Sequence, residues 1–386
     1  MLYVLLGLVL AGAACFFFVA PPLVDARLNG TATGPPYPAS EAARALHARL
    51  LVADLHNDVL LWNRDLLRRH SRGHSDLPRL VDGGVGLQTF SVVTKVPFGS
   101  DYAGTPSGPD QITLLAIAQR WPVRTWTSLT ERALYQAEKL HRAAARSDGR
   151  LTVLRTRADL ERFLTRRAER PGLVAGLLTL EGLHALEGEL SRLDALARAG
   201  FRMVGLTHLH DNAIGGSSTG LAKGGLTAFG RQVVRRIDEM GLIVDLAHAA
   251  EALIDDVLAL TGRPVVVSHA GVRATCKTPR NLSDRHVRAV AARGGLIGVG
   301  TWSTVVCGAA PAAIARAMRH VADLVGVEHV ALGTDFDGTV TPPFDATGLP
   351  QLTEALLDAG FTAPEIAQIM GGNVVRFLRA TLPAGA

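Results

Sequence analysis

The sequence predicts an α/β protein: a closed (β/α)8, TIM-like barrel preceded by an apolar N-terminal helix. Three observations predict it. From Leu51 onward, eight short runs rich in Val, Ile and Leu alternate with longer amphipathic segments. Those runs are apolar at nearly every position, the pattern of parallel strands covered on both faces. Eight such units in roughly 330 residues suit a closed barrel. A doubly wound open sheet is the alternative, but no GxGxxG loop follows the first strand, which counts against dinucleotide binding.

The bulk composition agrees. The 386 residues are 48% hydrophobic and 19% charged, enough to build a large core. The net charge of +5 is spread over helical stretches such as Leu154–Arg170 and forms no basic block interleaved with aromatics. Nucleic acid is therefore not an expected partner. Of three cysteines, Cys15 lies in the N-terminal apolar segment, so only Cys276 and Cys307 could pair within the folded domain, and the sequence leaves that open.

The elements follow in order. Leu2–Ala20 carries no charge, and about 20 apolar residues suffice to cross a bilayer as a helix. A cleaved signal peptide has a shorter apolar region and a basic start, whereas the first Lys or Arg here is Arg27. The stretch "GAAC" resembles a lipoprotein signal, but Gly12 stands where a larger aliphatic residue is expected. The reading is an uncleaved anchor or signal segment over residues 1–22, a Pro- and Gly-rich linker over 23–40, and the barrel over 41–386. "SEAARALHARL" reads as a helix capped by Ser40. Strands are then expected near residues 50, 85, 172, 201, 241, 263, 294 and 329.

The strand ends carry the chemistry. The first run stops in His56-Asn57-Asp58, the third in Glu181, the fourth in His208, the fifth in His248, the sixth in His269 and the last in Asp335 and Asp337. In a parallel barrel these ends share one rim. A single histidine after a strand is usually structural. Clustered carboxylates repel, however, and buried imidazoles need partners; metal ions resolve both problems. Imidazole and carboxylate donors without cysteine suit catalytic Zn²⁺. More donors are present than one ion needs, so two ions per chain sharing Glu181 are expected. His56, Asp58 and Glu181 would hold one, and Glu181, His248 and His269 the other. Period 2 places His56 and Asp58 on the same side of the extended chain. Two cations lower the pKa of water, present hydroxide at neutral pH and polarise a carbonyl. Asp335 fits the acid–base role. Asp337 reads as a turn cap, His184 and His210 as supporting residues, and His70 and His74 as members of a solvated loop.

With these residues in hand, the chain resembles the membrane dipeptidase (renal dipeptidase) family of zinc metallopeptidases, within the amidohydrolase-like barrels. The resemblance is carried by "DLHND" (54–58), "HSDLPRLVDGGVGLQTFSV" (74–92), "LEGLHAL" (180–186), "VGLTHLHDN" (204–212), the stretch 225–248, "PVVVSHA" (264–270), "RNLSD" (280–284), "GTDFDG" (333–338) and "GGNVVRFL" (371–378). It implies a binuclear zinc site on His56, Asp58, Glu181, His248 and His269. It implies that His208 contacts substrate and stabilises the oxyanion, that Arg280 binds the terminal carboxylate, and that Asp335 shuttles the proton and meets the amino group. The implied substrate is a dipeptide, with a D residue tolerated on the C-terminal side.

Pro97–Trp126 departs from the family pattern, and loops of this kind shape the pocket, so the resemblance leaves this chain's substrate preference open. "RATLPAGA" lacks an apolar tail, so anchoring is expected at the N-terminus, in a bacterial cell envelope, inner-membrane anchored or periplasmic. A homodimer is the oligomer considered. The rival readings are an N-acyl amino acid or other amide hydrolase on the same site, and a metal-retaining, non-catalytic binding protein.

Overall fold

The computed structural model describes residues 1–385. Nine strands form one sheet: β1 (Val52–Asp54), β2 (Val85–Val93), β3 (Leu151–Val153), β4 (Val174–Glu181), β5 (Phe201–Gly205), β6 (Ile243–Asp245), β7 (Val266–Ala270), β8 (Leu296–Val299) and β9 (Val330–Leu332). Every ladder between them is parallel. The order is β2-β1-β9-β8-β7-β6-β5-β4-β3, and the additional β2–β4 pairing closes eight strands into a barrel. The eight expected strands are the eight staves. β3 pairs with the start of β4, Leu151 opposite Val174. Its three residues, "LTV", are too short a run to register in the sequence as a strand.

Strand parity sorts the side chains. Along β4, Ala175 and Leu177 join an inner cluster with Leu87, Met203, Ile243, Val266, Leu296 and Ala331, while Leu178 and Leu180 face the surrounding helices. Val374, Phe377 and Leu378 of the helix Asn373–Thr381 belong to the same inner cluster and plug the N-terminal end of the barrel. Continuing the alternation of β4 past Leu177 and Thr179 brings Glu181 to the inner side at the opposite, C-terminal rim.

The helix over residues 41–47 forms as expected, with Ser40 Oγ accepting from the Ala43 backbone N–H. The N-terminal helix runs further than the linker reading allowed. Leu2–Leu28 is one continuous 27-residue helix, long and apolar enough to cross a membrane by length and composition. Pro21 and Pro22 do not end it. The turn before them, Cys15–Val19, is a π-turn, and the Ala20 N–H reaches back to the Cys15 carbonyl. That wider turn accommodates residues that lack a donor. Residues 29–40 are not a free linker either. Ala32 N–H donates to Pro342 O, the Thr33 hydroxyl to Pro343 O, and Tyr37 packs edge-on against Phe344.

Cys276 and Cys307 are joined in a disulfide, which settles the question the sequence left open. The bond ties the loop after β7, which carries Arg280, to the short helix after β8.

Candidate active site

At the C-terminal rim, residues from six strand ends meet around one carboxylate. Glu181 Oε1 lies 2.9 Å from His248 Nε2, 3.4 Å from His269 Nε2 and 3.6 Å from His56 Nε2. Glu181 Oε2 lies 3.5 Å from His208 Nε2. His56 Nε2 is 3.5 Å from Asp58 Oδ1 and 3.9 Å from Asp335 Oδ1. Three triads, His56/Glu181/His269, Glu181/His208/His248 and His56/Asp58/Asp335, each offer donor atoms within 4.8 Å of one another. All seven side chains are buried. His248 and Asp335 take left-handed backbone, φ 64° and 58°, a conformation costly for non-glycine residues and concentrated at functional sites.

The donors lack the partners that a purely structural cluster would need. His56 Nε2 and Asp58 Oδ1 are buried with no hydrogen-bond partner. His248 Nε2 and His269 Nε2 face each other at 3.0 Å, where only one of the two nitrogens can hold a proton. Burial and the Asp58 charge push Glu181 well above the usual carboxylate range. Burial likewise raises Asp335, against the pull of His56. Burial disfavours the charged form of His56, but Glu181, Asp58 and Asp335 together hold it up to about 10. Burial, reinforced by Arg280 and neighbouring imidazoles, holds His248 and His269 well below the ordinary histidine value, so they stay neutral with lone pairs to give. A divalent cation would replace the protons that this cluster otherwise gathers, and the all-N/O donor set fits one.

Supporting residues fix the donors. Ser268 Oγ, on β7, lies 3.2 Å from His56 Nδ1 and 2.8 Å from His269 Nδ1. When both imidazoles donate through Nδ1, both Nε2 lone pairs point into the site. Below them, Asp54 accepts from Gln88, from the Thr334 N–H and hydroxyl, and from the His56 N–H. This couples β1, β2 and the exit of β9. His184 Nε2 pairs with Thr94 Oγ1 at 2.9 Å, and Gly182 takes φ 93° where a Cβ would collide with the His184 ring. Nothing in the sequence around Ser268, one residue before a more conspicuous histidine, singled it out.

Arg280 lines the same cavity and is 3% exposed; its Nη2 donates to the His269 carbonyl and its Nε has no partner. His208 accompanies it, with burial and His210 lowering its pKa to about 3. The cavity measures about 780 Å³. Phe98, Tyr102, Ile112 and Leu115 of the departing segment contribute to its wall, as does Trp302, which carried no sequence signal.

Asp337, read as a turn cap, is not part of the cavity wall: it pairs with Arg64 Nη2 at 2.5 Å and accepts from Ser75 Oγ at 2.7 Å. One expectation needs correction. His74 is fully buried instead of solvated. Its Nδ1 accepts from the Asp337 N–H and its Nε2 donates to Gly30 O. The polar "HSD" run looked like a surface loop because the residues that cover it come from opposite ends of the chain.

A closed parallel barrel with imidazoles and carboxylates massed at its C-terminal rim defines a metal-dependent hydrolase. The chain belongs to the membrane dipeptidase family, peptidase family M19, whose match spans residues 40–384. It is similar to the dipeptidase aclJ of Aspergillus oryzae, 28% identical over 86% of this chain and 78% of that protein. It is also similar to the dipeptidase verJ of Clonostachys rogersoniana, 30% identical over 79% and 75%. Among solved structures, it resembles the family M19 metallopeptidase dipeptidase AC, with TM-score 0.71 and 27% identity over 87% of this chain and 99% of that one. A metallopeptidase from Rhodobacter sphaeroides, liganded with a phosphinate mimic of the dipeptide L-Ala-D-Ala, superposes with TM-score 0.68 and 26% identity over 86% and 99%. The chain is accordingly a metallo-dipeptidase, a hydrolase acting on peptide bonds.

Proposed function

We propose that this chain is a membrane-anchored, zinc-dependent dipeptidase that binds two zinc ions per chain. In this reading His56, Asp58 and Glu181 hold one ion, and Glu181, His248 and His269 hold the other. The observation that carries it is the placement of three imidazole nitrogens within 3.6 Å of the single oxygen Glu181 Oε1. Bound zinc would polarise the scissile carbonyl and acidify water.

The chain's own residues supply the rest. The Arg280 guanidinium, which lines the cavity and whose Nε has no partner, binds the substrate's carboxylate as a fork. His208, neutral at working pH, donates a hydrogen bond to the oxygen of the former carbonyl as charge builds there. Asp335 takes a proton on its carboxylate during attack and delivers it to the departing amine, and in the ground state it receives the substrate's ammonium group. Tolerance of a D residue on the C-terminal side is supported by the ligand of the Rhodobacter protein, a mimic of L-Ala-D-Ala.

The 27-residue apolar helix and the Cys276–Cys307 disulfide support an anchored domain facing an oxidising compartment, as in a bacterial envelope. The test is elemental analysis of the purified full chain together with a substrate panel. Two zinc ions per chain and turnover of dipeptides, but not of N-acyl amino acids, are expected. Preference for N-acyl amino acids would assign the site to the rival amide hydrolase, and metal without turnover of either would mark a non-catalytic binding protein.

A further inference from the structure

The N-terminal helix ends inside the architecture of the active site. Asp25, 2% exposed, pairs with Arg64 Nε at 3.1 Å and Arg72 Nε at 2.9 Å. Arg64 is itself buried and holds Asp337, two residues beyond Asp335. Asn29 Oδ1 accepts from the Thr339 N–H, and Gly30 O accepts from His74. Higher on the helix, Arg120 lies 4.3 Å over the Phe18 ring. Excising the helix would leave the buried Arg64 guanidinium without Asp25. The packing ties the C-terminal half of this helix, from Phe16 onward, to the domain.

The same helix walls the cavity. Phe16, Ala20, Val24 and Leu28 line it on one side, and Ile112, Leu114, Leu115 and Ala118 of the helix Gln111–Ala118 line it on another. Leu61, Trp62, Val93 and Val340 line the same cavity, together with Asp58, Glu181, His248 and Asp335 of the rim. Of these, the twelve outside the rim carry no charge. Their position around the barrel matters. Arg280 follows β7, whereas Leu61 and Val340 follow β1 and β9 and Val93 ends β2, three strands that are neighbours in the sheet. A dipeptide with its carboxylate on Arg280 and its amino group at Asp335 directs its first side chain toward the β1–β2–β9 side, where this apolar annex lies.

We propose that the annex is the pocket for the substrate's N-terminal side chain, that its outer wall is the anchor helix, and that the preferred substrates are dipeptides whose first residue is large and apolar. The proposal deepens the dipeptidase reading and rests on it. Apolar side chains that fill such a pocket gain binding that a small one cannot. Entry beside the anchor also brings the site close to the membrane surface, where amphipathic peptides accumulate.

The test uses the full-length chain in detergent micelles with a series Xaa-Ala, where Xaa is Gly, Ala, Leu, Phe or Trp. The ratio of kcat/KM for Phe-Ala over Ala-Ala is expected to be at least about 10-fold. Ala20→Trp on the anchor helix and Leu115→Trp on the facing helix are each expected to reduce that ratio by about 10-fold or more. A ratio measured on one preparation does not depend on how much of the variant folds. Intact mass of the membrane-extracted protein is expected to include residues 1–28. A flat series, a ratio untouched by both variants, or a mature chain lacking the helix overturns the proposal while leaving dipeptide hydrolysis standing. Failure to cleave any dipeptide removes the dipeptidase reading, and this one with it.

Discussion

Glu181 Oε1 lies 2.9 Å from His248 Nε2, although the two residues sit 67 positions apart and on separate strand exits. The same oxygen also has His56 and His269 within 3.6 Å, which is the geometry behind the proposed bridge between two ions. Glu181→Gln is expected to lose binding of both ions and to abolish turnover. Metal content and kcat check this, and a variant retaining one tightly bound ion with measurable turnover would refute the bridge.

Ser268 Oγ touches the far nitrogens of both His56 and His269. Ser268→Ala should leave the ligands in place but free their rings to reorient, weakening metal affinity by about 10- to 100-fold. Competition with a chelator measures it. Unchanged affinity would show that the imidazoles are oriented by packing alone.

Arg280 is a buried guanidinium that lines the cavity and whose Nε has no hydrogen-bond partner. Removing a charge-assisted contact worth about 1.5–3 kcal/mol should raise KM by roughly 10- to 100-fold. Arg280→Ala should show this for substrates with a free carboxylate and spare their C-terminal amides. An equal effect on both would place Arg280 in the scaffold.

Asp335 stands 3.9 Å from His56 Nε2, at the edge of the cluster. Asp335→Asn should keep the metal complement and lower kcat by about 10²- to 10⁴-fold, the range for a positioned acid–base group. Loss of metal instead would make it a ligand.

His208 has its pKa depressed to about 3, chiefly by burial and then by His210. In the unfolded chain its value is about 6.5. The unfolded state therefore binds the extra proton between those values, and this group's contribution to stability is lost as pH falls from about 6.5 toward about 3. NMR of the His208 ring should show a neutral imidazole down to pH 5. Titration near 6.5 would remove the neutral-donor role.

Much of this was legible from one dimension. Parallel strands announce themselves as unbroken apolar runs, and whatever residue ends each run must arrive at a common rim. Hence His56, Asp58, Glu181, His208, His248, His269 and Asp335 group together from the sequence alone. The misses share a cause. His74 and the stretch around Asn29 and Gly30 read as loop and linker because polar and Pro-rich composition is what loops carry, while their contacts depend on one another and on residues 337–339, across some 300 positions of sequence. Ser268 has no local signature because its role is defined by two imidazoles, one of them 212 residues away.

The sequence by itself determined the barrel, the rim and the chemical kind of its donors, because periodicity and strand ends are local properties. Only the tertiary structure decided which oxygen the imidazoles share, that Cys276 meets Cys307, and that residues of the N-terminal helix line the cavity. Those are relations between distant segments, set by how helices and loops pack over the closed barrel, and no run of neighbouring residues encodes them.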